Sequence, residues 1–335
     1  MLASHSKAMA AIESCRTADL GGHVYHCTKC KEDRFSYHSC KNRYCPQCQN
    51  EQAETWLCKQ QRLLINAPYF LVTFTLPAEL RGLARSRQKT VYRMLMKVSA
   101  RTLMQVMRNR KWLGGKVGIL SVLQTWTRDL RFHPHVHMLV VGGALSEDQQ
   151  QWLQVKMPYL APQQVLGKVF AGKFRDALAR ASLLELIPAR VWKQNWVVDV
   201  LAVGGGESAL KYLAPYIFRI AISNRRILKL ENGKVTFVFK DAKKKKEQRA
   251  VLEVDHFIHR FLQHVLPHRF IKVRTYGLFS PANRHLLQKA KELIGIPRIK
   301  QSERQERVYP PELRCPDCKE PMKYLGELPR KGRSP

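Results

Sequence analysis

The chain has 335 residues, with 58 Lys and Arg against 26 Asp and Glu, a formal net charge of +32 and a hydrophobic share of 45%. That is enough to bury a sizeable core, and the charge calls for a polyanionic partner, nucleic acid ahead of an anionic membrane surface. No run of ~20 apolar residues and no signal peptide is visible, so the expectation is a cytoplasmic, nucleoid-associated protein without a membrane span.

Residues 1–60 form a Cys- and His-rich head. Seven of the nine cysteines lie within the first 58 residues and the other two are Cys315 and Cys318. An odd, clustered set argues against a disulfide framework and for metal. Cys27-x2-Cys30 and Cys45-x2-Cys48 are separated by 14 residues. Each pair presents two thiolates from one tight turn, so the expectation is one closed, tetrahedral structural Zn2+ site made by these four. Its role would be to fold a segment too small to be stable alone and to present basic residues to DNA. Cys15, His23, His26, His38 and Cys40 remain, enough for a second site or simply small buried residues around the first.

Residues 61–296 read as one α+β domain with a mainly antiparallel sheet and helices against it. "PYFLVTFTLP" (68–77) is a strand between prolines and 78–110 a helix. "KVGILSVLQTW" (116–126) and "TRDLRFHPHVHMLVVGG" (127–143) are two strands close enough in sequence to pair antiparallel. Helices are expected around 146–156 and 162–186, then a strand at 195–203. A glycine-rich turn leads into a helix over 204–227, and Asn232-Gly233 marks a hairpin over 226–240. A helix near 255–265 and a strand at 271–279 complete the domain, and 297–335 is a basic tail carrying the half-site Cys315-x2-Cys318.

Two features carry chemistry. His133, His135 and His137 alternate along a strand and so share one face, while Val136 and Met138 point the other way, toward a core. Neutral imidazoles so arranged can converge on one metal ion, or they can be satisfied structural residues; the pattern alone leaves both open. Tyr212 and Tyr216 are four apart in "ALKYLAPYIFR", one turn from each other on a helical face. By spacing alone they are an aromatic core pair. A metal-bound phosphate beside them would instead make a tyrosine hydroxyl a usable nucleophile. Pro215 lies between them and lacks the N–H that would bond the carbonyl of Lys211, so a kink is expected there.

HPHVH before an apolar strand, Tyr-x3-Tyr running into "RIAISNRRI", and the head "CRTADLGGHVYHC…YHSCKNRYCPQCQ" together resemble the rolling-circle transposases of insertion sequences. These are HUH (histidine–hydrophobic–histidine) endonucleases with an N-terminal transposase zinc-binding domain. The resemblance spans roughly residues 10 to 300, with the motifs in order. It implies an HUH-type antiparallel sheet, His135 and His137 as ligands of a catalytic Mg2+ or Mn2+, and Tyr212 and Tyr216 as nucleophiles. His133 is a candidate third ligand, with Gln124, Asp129 and Glu207 as alternatives. The implied reaction nicks and rejoins single-stranded DNA at the element's ends through a 5′-phosphotyrosine, with self-association as a further expectation. The competing readings are a plasmid replication initiator or relaxase with the same chemistry, and a zinc-dependent DNA-binding protein without catalysis.

From Arg219 to Arg249 there are 11 basic residues against three acidic ones. Following directly on the tyrosine segment, they read as a DNA track. Arg219, Asn224, Arg225 and Arg226 are candidates for gripping phosphates and splayed bases. Lys243, Lys244, Lys245 and Lys246 are candidates for sequence-independent phosphate contacts.

Overall fold

The computed structural model describes residues 2–48, 56, 60–156, 159–206, 208–210, 221–241, 246–295 and 312–331. The chain divides into two compact units, Met1–Glu51 with Ile299–Pro335, and Gln52–Arg298. The expected tail from residue 297 is therefore not a separate appendage. It is part of the same unit as the head, because a strand near its end completes the head's sheet.

In that first unit, helix α1 (Ala3–Glu13) leads to a hairpin of β1 (Gly22–Cys27) and β2 (Glu32–Tyr37). β14 (Lys323–Leu328) pairs antiparallel with the free edge of β1, placing β1 in the middle. Closing that edge satisfies backbone groups that a lone two-stranded hairpin would leave exposed. Gly21, at φ +67°, is where the chain enters β1; a Cβ there would lie 2.3 Å from the Leu328 carbonyl oxygen. The small core consists of Tyr25, Cys27, Cys315 and Met322.

The second unit is built on a five-stranded antiparallel sheet of β3 (Tyr69–Thr75), β5 (Gly118–Trp126), β6 (Phe132–Val141), β9 (Val198–Ala202) and β13 (Val273–Gly277). Its order is β13-β5-β6-β3-β9. β6 is the central strand, flanked by β5 and β3 in the antiparallel register Gln124↔His135 and Thr75↔His135. Val136, Met138 and Val140 are fully buried on one face. There Phe74, opposite Val136, meets Phe170 with ring centroids 5.0 Å apart. Phe170 belongs to α4 (Gln163–Arg180), which packs beside the long amphipathic α3 (Gln88–Arg108). On the other face Leu139 and Val141 join Leu71, Leu120, Val122, Ala209 and Leu210, covered by Leu286 and Leu287 of α6 (Arg284–Leu293). Burying each such side chain contributes roughly 2 kcal/mol.

Smaller elements complete the unit. β4 (Gly115–Lys116), β7 (Gly143–Ser146) and β8 (Trp152–Gln154) form one antiparallel sheet. β10 (Ile227–Glu231), β11 (Lys234–Lys240) and β12 (Glu247–Glu253) form another, against which α5 (Val254–Leu262) sets Phe257 5.8 Å from Phe237. Asn232 and Gly233 both take positive φ, the geometry of a tight two-residue hairpin turn.

Two local expectations are corrected. The helix over 146–156 is a turn followed by β8. Ser146 Oγ accepts from the Gln151 N–H at 3.0 Å and Asp148 Oδ1 accepts from the Gln150 N–H at 3.1 Å, so side chains take the backbone donors a helix would need. The helix over 78–110 is two, α2 (Leu80–Ser86) and α3, broken at Arg87 where ψ is 44°.

Candidate active site and thiolate clusters

His135 and His137 project from the middle strand onto the same face and are each 7% exposed. Their Nε2 atoms stand 3.1 Å apart. His135 Nδ1 donates to the His133 carbonyl at 2.6 Å. A carbonyl only accepts, so the proton of the neutral ring is on Nδ1 and Nε2 keeps its lone pair. His137 Nδ1 pairs with Thr73 Oγ1 at 3.0 Å, which orients the second ring. Burial pushes His135 down to about 4 and His137 to about 3, with the neighbouring imidazole adding to the latter. Both rings are therefore neutral near pH 7, the form that binds a metal ion.

The donor set fits a divalent ion. Two imidazole nitrogens held cis in an octahedral shell at ~2.1 Å stand ~3.0 Å apart, close to the observed Nε2–Nε2 spacing. Gln124, directly across from His135 on β5, supplies a third candidate. Its Nε2 donates to the Trp126 carbonyl at 3.1 Å, while its buried Oε1 has no hydrogen-bond partner among the described residues. An orphaned buried acceptor on the histidine face is a ready oxygen ligand.

His133 is placed differently. Its ring centroid lies 5.2 Å from that of His135, at the place where the ladder register shifts between Gln124 and Trp126. Arg81 Nη2 donates to His133 Nδ1 at 2.9 Å, and burial with that guanidinium lowers the imidazole's pKa. His133 thus acts on the pair through its carbonyl, which holds His135. Asp129 is tied to Arg131 at 2.6 Å and to Thr127. Glu207, Tyr212, Tyr216 and Arg219 lie outside the described residues.

Of the basic candidates, Asn224 and Arg225 are exposed. Arg226 is not a free cation: its guanidinium donates to the carbonyls of Val238 at 2.8 Å, Ala221 at 3.4 Å and Arg128 at 2.5 Å. It fastens the start of β10 to β11 and to the turn before β6. Lys243, Lys244 and Lys245 lie outside the described residues; Lys246 is exposed at the start of β12.

In the first unit the cysteines form two clusters of four, each with all sulfur atoms within 4.8 Å of one another. Cys45 and Cys48 join Cys15 and Cys40, with Cys48 Sγ 3.1 Å from Cys15 Sγ and 3.6 Å from Cys40 Sγ. Cys27 and Cys30 join Cys315 and Cys318. The single site expected from Cys27, Cys30, Cys45 and Cys48 is corrected: the two turns belong to different clusters. Cys27 and Cys30 sit at the far end of the β1–β2 hairpin, where β14 brings the tail alongside, whereas Cys40, Cys45 and Cys48 follow β2 and meet Cys15 beyond α1. Thiolate sets of this kind fit structural zinc, closed to substrate.

A buried pair of ligand-competent imidazoles in a chain of net charge +32, with cysteine clusters in a separate unit, fits a metal-dependent protein that works on a polyanion. Residues 118–286 match the family described as "Putative transposase", and residues 1–76 match the "Transposase zinc-binding domain". "Putative transposase y4qJ" of Sinorhizobium fredii is 36% identical over 315 residues, covering 87% of this chain and 78% of that protein. The "Transposase for insertion sequence element IS801" of Pseudomonas savastanoi pv. phaseolicola is 26% identical over 284 residues, covering 80% of this chain and 68% of that protein. The chain belongs to this family, the IS91-type transposases with an N-terminal zinc-binding domain. It is therefore a DNA-cleaving, transesterifying enzyme whose substrate is DNA. No solved structure matches it. Among the described residues no helix is long and apolar enough to cross a membrane.

Proposed function

We propose that the transposase acts on single-stranded DNA at its element's ends by tyrosine transesterification of the HUH type. The observation that supports this best is the His135–His137 pair: buried, neutral, with its Nε2 atoms 3.1 Å apart on the central strand. In this reading His135, His137 and Gln124 hold a Mg2+ or Mn2+ ion, which when bound polarises the scissile phosphate and aligns it. The oxygen of Tyr212 or Tyr216 attacks the phosphorus, and the P–O3′ bond breaks. The phenolic proton ends on the departing 3′ oxygen, leaving a 5′-phosphotyrosine and a free 3′-OH. The reaction conserves the phosphodiester's energy in the new link, so a 3′-OH can reverse it without a nucleotide cofactor.

The packing of the residues that flank the tyrosine segment in sequence supports this reading. Leu210 packs in the cluster that includes Leu139 and Val141, while Ala221 packs with Leu130, just ahead of β6. Asn224, Arg225 and the lysine run follow as a basic track for the displaced strand.

The test is divalent-ion-dependent cleavage of a labelled single-stranded oligonucleotide carrying the element's end. His135→Ala and His137→Ala should each abolish cleavage while binding the oligonucleotide within a few-fold of the parent. Cleavage that persists in chelator, or in either variant, contradicts the proposal.

A further inference from the structure

The second thiolate cluster reaches beyond both matched spans. Cys27 and Cys30 lie within residues 1–76, but Cys315 and Cys318 lie outside either family match. Its geometry is that of a tetrahedral sulfur site. Four thiolates around zinc at ~2.3 Å stand ~3.8 Å from one another. Cys27 Sγ and Cys318 Sγ are 3.5 Å apart, and Cys30 Sγ and Cys315 Sγ are 3.9 Å apart.

The two turns that deliver these sulfurs are built alike, although 285 residues separate Cys30 from Cys315. After Cys27-x2-Cys30 comes Lys31 at φ 57°, and after Cys315-x2-Cys318 comes Lys319 at φ 64°. In each turn that lysine's N–H returns to the first cysteine's carbonyl, at 2.7 Å and 3.0 Å. Left-handed φ at a lysine is costly unless the surroundings hold it. Two unrelated stretches of sequence accept it at the same place relative to a Cys pair. The Cys30 N–H also points at Cys27 Sγ at 3.4 Å, a bond that favours a thiolate over a thiol. Around the cluster the two stretches are matched as well: Arg34 donates to Asp317, within the second turn, at 2.6 Å, and Tyr25 packs on Tyr324 at 5.6 Å.

We propose that Cys27, Cys30, Cys315 and Cys318 bind a second structural zinc ion, which ties the tail hairpin to the head and completes the module. The first cluster draws every ligand from residues 15–48, so an emerging chain can fill it. The second cannot form until Cys318 has been made. Metal binding at such a site contributes directly to folding, so the segment carrying Cys315 and Cys318 determines whether the head folds fully.

The test measures metal in full-length protein purified without chelator. Zinc should be present at two per chain, and at one per chain in both the Cys315→Ser/Cys318→Ser and the Cys40→Ser/Cys45→Ser variants. Cobalt substitution should show thiolate-to-metal charge-transfer absorption reduced by about half in each, since each loses one of two four-thiolate sites. Cys318→His keeps four donors and should restore two zinc ions per chain, which separates loss of a ligand from general unfolding. One zinc per chain in the parent would overturn the proposal. So would two in Cys315→Ser/Cys318→Ser, or iron in place of zinc.

Discussion

Lowering the pH should destabilise the catalytic unit through His264. This residue is 2% exposed, with Nδ1 3.3 Å from Thr125 Oγ1 and Nε2 3.2 Å from the Leu130 carbonyl. Burial pushes its pKa down to about 4, from 6.5 in an unperturbed chain. The folded state thus binds the proton less readily than the unfolded one, and stability falls as pH drops below about 6.5, reaching its floor near 4. A difference of ~2.5 pKa units is worth ~3.4 kcal/mol in full, of which ~2.5 kcal/mol is lost between pH 7.5 and 4.5. Other groups also titrate in this range, so the informative quantity is a difference. His264→Gln stays neutral throughout, and urea unfolding of parent and variant should therefore converge by about 2.5 kcal/mol between pH 7.5 and 4.5. Parallel curves over that interval would refute the argument that His264 is held neutral by burial.

Thr73→Val removes the hydroxyl that orients His137 while keeping the side chain's shape. Divalent-ion affinity, read by the metal concentration for half-maximal cleavage, should weaken by roughly 10- to 100-fold with DNA binding unchanged. Replacing Lys243 to Lys246 with Gln should flatten the log–log dependence of single-strand binding on salt by about 0.7 for each phosphate no longer neutralised. An unchanged slope would show that the run does not touch the backbone.

How far the sequence led depended on the range of each interaction. The histidine strand was legible because period-two alternation is local, and the apolar residues after His137 marked β6 for burial. Asn232-Gly233 likewise named its own hairpin. The cysteine pairs were legible as thiolate turns, but which turn meets which is a long-range fact. Only the pairing of β14 with β1 brings Cys315 and Cys318 to Cys27 and Cys30, and no spacing rule encodes it. Gln124 illustrates the same limit. It is one of several candidate ligands until the β5–β6 register places it opposite His135 and leaves its buried Oε1 with no partner among the described residues. Nor does charge alone show that the Arg226 side chain serves three backbone carbonyls. The stretch Ser146–Gln150, expected within a helix over 146–156, is held as a turn by its own side chains.

The most direct measurement of the central claim is to identify the residue joined to DNA. The transposase is incubated with a single-stranded oligonucleotide bearing the element's end and Mg2+ or Mn2+, denatured, digested with protease and nuclease, and analysed by mass spectrometry. A 5′-phosphonucleotide is expected on the peptide containing Tyr212 and Tyr216, on one or both tyrosines, with no adduct when both are Phe. If Pro215 sets Tyr212 aside, the adduct is on Tyr216 alone. Cleavage without any covalent adduct, or an adduct that survives in the Tyr212→Phe/Tyr216→Phe variant, would contradict that claim.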